Sequence, residues 1–119
     1  MIVGIGVDIV ENIRFDSWIQ DRKKIERFFN SEELSVNEIS TEFLASRFAA
    51  KEALVKAFGT GFRGLNLKEI ALVHDELGKP FFKLTGKAHE KWSLLQKPAI
   101  NVSISHEKNY SIAFVVLEL

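Results

Sequence analysis

The fold is decided by residues 47–61, whose sequence is RFAAKEALVKAFGTG. Its alanines and leucine favour a helix, and Gly59 stands where a left-handed C-terminal cap is expected, because glycine adopts that conformation at little cost. Glu52 and Lys56 are four residues apart and therefore share one helix face. A carboxylate, two lysines and an arginine in so short a segment suit phosphate chemistry, in which a carboxylate holds a metal and cations meet phosphate oxygens.

The rest of the chain alternates strands with helices. The helix that contains this stretch is predicted to begin near Ser40 or Thr41, since either side chain can cap it. Short helices are expected within residues 14–30, and a longer one from about 85 to 96. Strands are predicted over residues 2–10, 66–74, 80–84, 100–105 and 110–119, the last two forming an antiparallel hairpin. This order predicts an α+β fold, a compact mixed domain over residues 1–119.

The composition limits the classes of protein that this chain can belong to. Its 119 residues fit one domain with one core, and 46% hydrophobic residues with ten Phe are typical of a globular chain. Sixteen basic and sixteen acidic residues argue against bulk nucleic-acid binding. No stretch approaches the roughly 20 apolar residues of a membrane span, and no secretory leader is expected. The absence of cysteine excludes disulfides and is compatible with a cytoplasmic location.

Asp8 lies in an otherwise apolar first strand, where Gly4 and Gly6 leave room for a close neighbour. Because an unpaired buried charge is costly, Asp8 is either a strand-end turn residue or part of a polar site. Asp8 and Glu52 together offer two hard oxygen ligands that would suit Mg²⁺. Taken alone, Glu52 and Lys56 fit equally well as a solvent-exposed helical ion pair, worth a few tenths of a kcal/mol.

Three further features could each have either a functional or a purely structural role. Residues 59–64 match G-x-G-x-x-G, but they follow a helix instead of opening one, which excludes a dinucleotide fold and leaves a possible wall of a nucleotide site. His106 ends the run SISH (103–106) and could be a structural turn residue; His74 and His89 read as surface residues. A basic cluster could be a solvated helix face or a docking site for an acidic protein; it comprises Arg14, Arg22, Lys23, Lys24 and Arg27.

Taken together, these motifs resemble the holo-acyl-carrier-protein synthases, which are the short 4′-phosphopantetheinyl transferases. The matching segments, in order, are GIGVDIVE (4–11) with Arg14, RFAAKEA (47–53), KAFGTG (56–61), GKP (78–80) and SISH (103–106). The resemblance covers essentially the whole chain and implies one long helix packed on an antiparallel sheet. It also implies that coenzyme A donates its 4′-phosphopantetheine arm to a serine hydroxyl of apo-acyl-carrier protein, releasing adenosine 3′,5′-bisphosphate.

The resemblance also assigns roles to residues. Asp8 and Glu52 match magnesium ligands, and Lys56 matches a catalytic cation beside the bridging phosphates. Positions that match contacts to coenzyme A and its phosphates are Arg47, Lys51, Lys56, Gly59, Thr60, Gly61, Lys79, Pro80 and His106. Arg14 matches a position that docks the acidic acyl-carrier protein, with Arg22 and Lys24 as its neighbours.

Family members are homotrimers with active sites between subunits, so the resemblance predicts the same assembly here. It predicts no nucleic-acid or membrane partner. Two alternatives stay open: a non-catalytic module of the same fold that binds carrier protein or nucleotide, and a structural oligomerisation domain. The base that takes the proton from the attacking hydroxyl is not identified by the sequence.

Overall fold

The computed structural model describes residues 1–59 and 64–119, and the elements named below lie within them. In chain order they are β1 (Ile2–Glu11), a first 3₁₀ helix (Asn12–Trp18), α1 (Arg22–Phe28), α2 (Thr41–Phe58), a second 3₁₀ helix (Leu67–Glu69), β2 (Ile70–His74), β3 (Pro80–Leu84), α3 (Gly86–Leu94), β4 (Ala99–His106) and β5 (Tyr110–Glu118). None of the described helices is both long and apolar enough to cross a membrane.

The strands form two antiparallel sheets. One has three strands in the order β1-β5-β4, and the other is the β2-β3 hairpin. In the larger sheet β5 is central, and β4 and β5 form the predicted hairpin. The α+β fold with a long helix on an antiparallel sheet is therefore confirmed.

Helix α2 begins and ends where the sequence predicts. The Ser40 hydroxyl accepts a hydrogen bond from the Phe43 amide at 3.0 Å, which satisfies one of the free donors of the first turn. At the other end Gly59 has a φ of 80° and forms the left-handed cap. Most of α2 is buried, because it contacts β1, β4 and β5 on one side and β2 and the first 3₁₀ helix elsewhere.

One predicted element differs from the structure. The strand expected over residues 66–74 begins only at Ile70, because residues 67–69 form the second 3₁₀ helix. The Asn66 side chain accepts a hydrogen bond from the Lys68 amide, and the Glu69 carboxylate accepts one from the Asn66 amide. This capping box turns the backbone away from the extended conformation.

The closest contact between the large sheet and α2 is made by two glycines of β1. A Cβ at Gly6 would overlap the carbonyl oxygen of Ala53, and a Cβ at Gly4 would overlap that of Ala57. Because side chains alternate along a strand, residues 4, 6 and 8 of β1 face α2, whereas residues 5, 7 and 9 face away. The absence of side chains at Gly4 and Gly6 thus lets β1 lie directly on α2 and brings Asp8 beside the helix.

We expect Gly6→Ala to destabilise the fold by about 3 kcal/mol or more, since the new methyl group meets backbone atoms that cannot move alone. Urea unfolding followed by circular dichroism measures the change. Gly78→Ala is the matched control: its methyl group meets open space, and only the positive φ of 83° costs about 1 kcal/mol. Equal losses for the two variants would contradict the packing argument.

Candidate active site

The contact between β1 and α2 carries an ion pair. The Lys56 ammonium group donates one hydrogen bond to Asp8 Oδ1 at 3.0 Å and another to the Val7 carbonyl oxygen at 3.0 Å. The Asp8 side chain is 13% exposed, whereas that of Lys56 is 52% exposed. Asp8 is thus a partly buried carboxylate at the helix face, and Lys56 reaches it from solvent.

Lys56 of α2 forms an ion pair with Asp8 of β1. This contact bears on whether Glu52 and Lys56 are only a solvent-exposed ion pair within the helix. A solvent-exposed helical pair would join Lys56 to Glu52, but the ion pair found for Lys56 among the described residues is with Asp8. The four-residue spacing therefore places Glu52 and Lys56 on the face that meets Asp8, as a polar site requires.

Asp8 and Glu52 together form a negatively charged pair. Asp8 Oδ2 is buried and accepts no hydrogen bond from any residue in the ranges 1–59 and 64–119. Burial raises the pKa of Glu52, and the charge of Asp8 raises it further, against the opposing effects of Lys56 and Arg14. A cation placed between the two carboxylates would relieve this repulsion and use the free oxygen of Asp8.

The donor set fits a hard cation that needs few protein ligands. The described part of the chain has no group of three or more His, Cys, Asp or Glu side chains that could hold a metal. Mg²⁺ is usually bound by one or two carboxylates, with water and substrate phosphate in its other positions. Asp8 and Glu52 would supply that number, and a closed zinc site would need more.

A second cluster surrounds Arg47. Its guanidinium carbon lies 3.8 Å from the centre of the Phe43 ring, and its Nη2 lies 3.4 Å from Nδ1 of His74. Burial and the charge of Arg47 lower the pKa of His74, against the effect of Asp75, so a neutral ring is favoured and can accept from arginine. Arg47 is itself largely desolvated, which lowers its pKa, and the charge of Glu33 opposes this effect.

Arg47 lines a cavity of about 390 Å³, and residues from three of the segments that resemble the family line it as well. The residues that line it are Ser46, Arg47, His74, Gly78, Pro80, Val102, Ser103, Ile104 and His106. The structure thus brings Arg47, Pro80 and His106 together, as a shared binding site requires. Lys79 is not among the lining residues, although both its neighbours are.

The two clusters occupy different faces of α2. Glu52 follows Arg47 by five positions, which corresponds to a rotation of about 140° around a helix. The cavity at Arg47 and the cavity that Glu52 lines have no residue in common. Neither of the two cavities that Arg47 lines in the described chain therefore includes Glu52.

Lys51 is not part of either cluster. Its side chain is fully buried, and its ammonium group contacts Glu33 Oε1 at 2.5 Å and the carbonyl oxygens of Phe28 and Leu67 at 2.8 and 3.1 Å. Burial lowers the pKa of Lys51 to about 8, although the charge of Glu33 acts in the opposite direction. The predicted phosphate contact by Lys51 therefore has no support in its position, because a lysine with three such partners has no N–H left to donate.

Of the predicted glycine turn, only Gly59 can be placed, as the cap of α2. Thr60 and Gly61 lie outside the described residues.

Glu52 also lines a cavity of about 500 Å³ between α2, α1 and the second 3₁₀ helix. Trp18, Phe28 and Phe48 give this cavity aromatic walls. The Lys24 ammonium lies 4.6 Å from the Trp18 ring centre and the Arg14 guanidinium carbon 5.1 Å from that of Phe48. Arg22 does not line the cavity; it is exposed and pairs with Glu26 at 3.0 Å.

Two residues gain a role that the sequence did not reveal. Glu33 is buried beside Lys51, whereas in the sequence Asn30 to Glu33 resemble a cap that opens a short helical turn. His74 is exposed, as expected, yet it contacts Arg47. Nothing in the sequence predicted that contact, because the two residues are 27 positions apart.

Comparison with known proteins shows the family of the chain. The sequence model of the 4′-phosphopantetheinyl transferase superfamily matches residues 4–115. A holo-[acyl-carrier-protein] synthase of Treponema denticola is 45% identical, with 99% of each chain covered. The crystal structure of the Neisseria meningitidis holo-[acyl-carrier-protein] synthase superposes with a TM-score of 0.86 at 39% identity, covering 100% of both chains.

A structure with a ligand is also similar. The holo-(acyl-carrier-protein) synthase of Bacillus anthracis in complex with CoA (3′,5′-ADP) superposes with a TM-score of 0.81 at 37% identity. The alignment covers 99% of this chain and 97% of that one. The chain therefore belongs to the 4′-phosphopantetheinyl transferase superfamily.

Proposed function

We propose that this protein is a Mg²⁺-dependent holo-[acyl-carrier-protein] synthase. It transfers the 4′-phosphopantetheine arm of coenzyme A to a serine of apo-acyl-carrier protein. The serine oxygen bonds to the phosphorus that bears the arm, and the bond from that phosphorus to the bridging oxygen of the diphosphate breaks. Adenosine 3′,5′-bisphosphate leaves with the bridging oxygen, and the hydroxyl proton passes to water. The observation that carries the proposal is the Asp8, Glu52 and Lys56 group, on a chain whose relatives bear this name.

Asp8 and Glu52 would hold the metal. Support comes from the buried Oδ2 of Asp8, which no described residue satisfies, and from the raised pKa of Glu52. When bound, Mg²⁺ neutralises charge that develops on the phosphate oxygens. The two carboxylates would fix its place directly beside Lys56.

Lys56 would contact the diphosphate of coenzyme A. Among the described residues its ammonium group donates to Asp8 and to the Val7 carbonyl, which leaves one of three N–H groups for a phosphate oxygen. Those two bonds hold the charge in place before substrate arrives, and such preorganisation is effective in stabilising a charged transition state.

The Arg47 cavity would take the nucleotide end of coenzyme A. Arg47 and His106 can donate to phosphate oxygens, and Pro80 offers an apolar surface to a base. Phe43 and His74 hold the guanidinium group in one orientation. Because this cavity and the Asp8–Glu52 pair lie on different faces of α2, we propose that two neighbouring copies complete each site.

The outer face of the large sheet supports such an assembly. Val7 lies opposite Phe114, and Ile9 lies opposite Ile112, on the face turned away from α2. These four side chains are 40–60% exposed, together with Ile5 at 56%. A contiguous apolar patch of this kind marks a surface that is covered by another protein, and we propose that the covering protein is a second copy within a homotrimer.

The cavity beside Glu52 would dock the carrier protein. Its aromatic walls would take an apolar side chain, and Arg14 and Lys24 would face acidic groups at its rim. This position brings a docked serine close to the metal-binding pair. Arg22 would act at long range, since it lies outside the cavity.

The predicted cytoplasmic location stays a prediction.

We expect Asp8→Asn and Glu52→Gln to lower turnover by at least about 100-fold, since each removes charge that holds the metal at the phosphate. Mass spectrometry of apo-acyl-carrier protein incubated with enzyme, coenzyme A and Mg²⁺ measures the transfer. Glu90→Gln on the exposed face of α3 is the control. Full activity in both site variants would refute the role of the two carboxylates. No transfer by the unmodified protein would refute the enzymatic proposal and leave a binding module or oligomerisation domain.

We expect Lys24→Glu to raise the KM for carrier protein about tenfold and to leave the KM for coenzyme A unchanged, because it places a like charge at the rim of the docking cavity. Steady-state kinetics at low ionic strength measures both constants. Lys87→Glu, on α3, makes the same change of charge elsewhere and should have no effect. A docking role for Lys24 is excluded if the two variants behave alike.

We expect the protein to sediment as a trimer and Phe114→Asp to shift it to monomer with loss of transfer activity, because the charge would be buried in the apolar interface. Analytical ultracentrifugation measures the assembly. Leu94→Asp alters a residue that is 80% exposed on α3 and should leave the trimer intact. A fully active monomer would contradict the shared site.

A further inference from the structure

The ion pair between Lys51 and Glu33 is the most completely buried charged contact in the described chain. Both side chains are 0% exposed, and their N–O distance is 2.5 Å. The Lys51 ammonium group also lies 4.5 Å from the centre of the Phe29 ring. No role in the proposed reaction uses this pair, although Lys51 directly precedes Glu52.

Lys51 joins the helix that carries Glu52 to two other segments. Its second N–H group donates to the carbonyl oxygen of Phe28, the last residue of α1, at 2.8 Å. Its third donates to the carbonyl oxygen of Leu67, the first residue of the second 3₁₀ helix, at 3.1 Å. All three N–H groups of the lysine are therefore used, and their directions fix where these segments lie relative to α2.

Glu33 extends the same connection. Its Oε1 accepts a hydrogen bond from the Asn30 amide at 3.0 Å, and its Oε2 accepts one from the Leu72 amide at 3.0 Å. The carboxylate thus holds the turn after α1 against β2. With Lys51 it forms one polar junction that links α1, α2, the second 3₁₀ helix and β2.

Two of the groups held by this junction form walls of the docking cavity. Phe28 and Leu67 both line the cavity of about 500 Å³ that Glu52 lines from α2. Since Lys51 bonds to the backbone of both residues, its position determines how far apart these walls stand. We propose that the Lys51–Glu33 pair is a positioning device for the carrier-docking cavity, and that it governs recognition of the carrier protein rather than of coenzyme A.

The energetics of buried charges favour a positioning role. Removing two charges from water offsets most of their attraction, so an apolar pair of equal volume is often as stable. An apolar pair, however, has no directional bonds to the carbonyl oxygens of Phe28 and Leu67. What the charged pair adds to the fold is therefore a defined geometry of the cavity walls. This inference rests on the proposed docking of carrier protein beside Glu52.

The test is the double variant Lys51→Met with Glu33→Gln, assayed as the full chain. Met keeps the length of lysine and packs on the Phe29 ring, and Gln keeps an acceptor for one of the amides that Glu33 binds. We expect a folded protein whose KM for apo-carrier protein rises about tenfold, while its KM for coenzyme A and its turnover at saturating carrier stay within about twofold. Hydrogen exchange should accelerate at the amides of residues 28–30 and 65–67.

A second variant guards against a folding defect. Glu33→Gln alone keeps Lys51 and an acceptor for one of the two amides that Glu33 binds, and circular dichroism checks that it is folded. We expect its carrier KM to rise about threefold. Lys68→Met, which removes an exposed lysine next to Leu67, is the control and should have no effect.

A carrier KM that rises no more than the coenzyme A KM in the folded variants would overturn the inference, as would a loss of turnover alone. These outcomes are distinct from failure of the proposed function, in which the unmodified protein itself transfers nothing.

Discussion

The structure depends on how closely β1 approaches α2. Gly4 and Gly6 have no side chains to hold the strand away, so the backbone of β1 rests on the carbonyl groups of Ala53 and Ala57. This contact fixes which face of β1 meets the helix. Asp8 then falls on the inner face, beside Lys56, and the apolar residues of the outer face remain available to another copy. The same packing constraint thus places the polar site and the proposed assembly surface on opposite sides of one strand.

The charged side chains of helix α2 point in different directions because of the helical periodicity. Glu52 and Lys56 lie beside Asp8 of β1. Arg47 faces β2 and β4, and Lys51 points into the core. In the proposed function, one helix would therefore supply residues to the metal site, to the nucleotide cavity and to the junction beside the docking cavity. Charges that look like one cluster in the sequence lie on separate sides of α2, because residues of a helix are spread around its axis.

Some parts of the fold and of the site could be predicted from the sequence and others could not, for physical reasons. The ends of α2 were predictable, because a serine cap and a glycine cap are local signals. The inward orientation of Asp8 followed from strand alternation. The burial of Lys51 did not, because it requires Glu33 and two backbone carbonyls from distant segments. The 3₁₀ helix at residues 67–69 was missed because its capping box competes with an apolar pattern that also suits a strand.

The order of strands in the large sheet has a consequence for how the site forms during folding. β5 lies between β1 and β4, and Asp8 of β1 is paired with Ala113. β1 therefore has no neighbour in this sheet until a segment more than 100 residues later has been synthesised. Contacts of such sequence separation form slowly, since a long loop must close first. The strand that carries Asp8 would thus wait, with its backbone hydrogen-bonding groups unpaired in this sheet, until the last strand arrives.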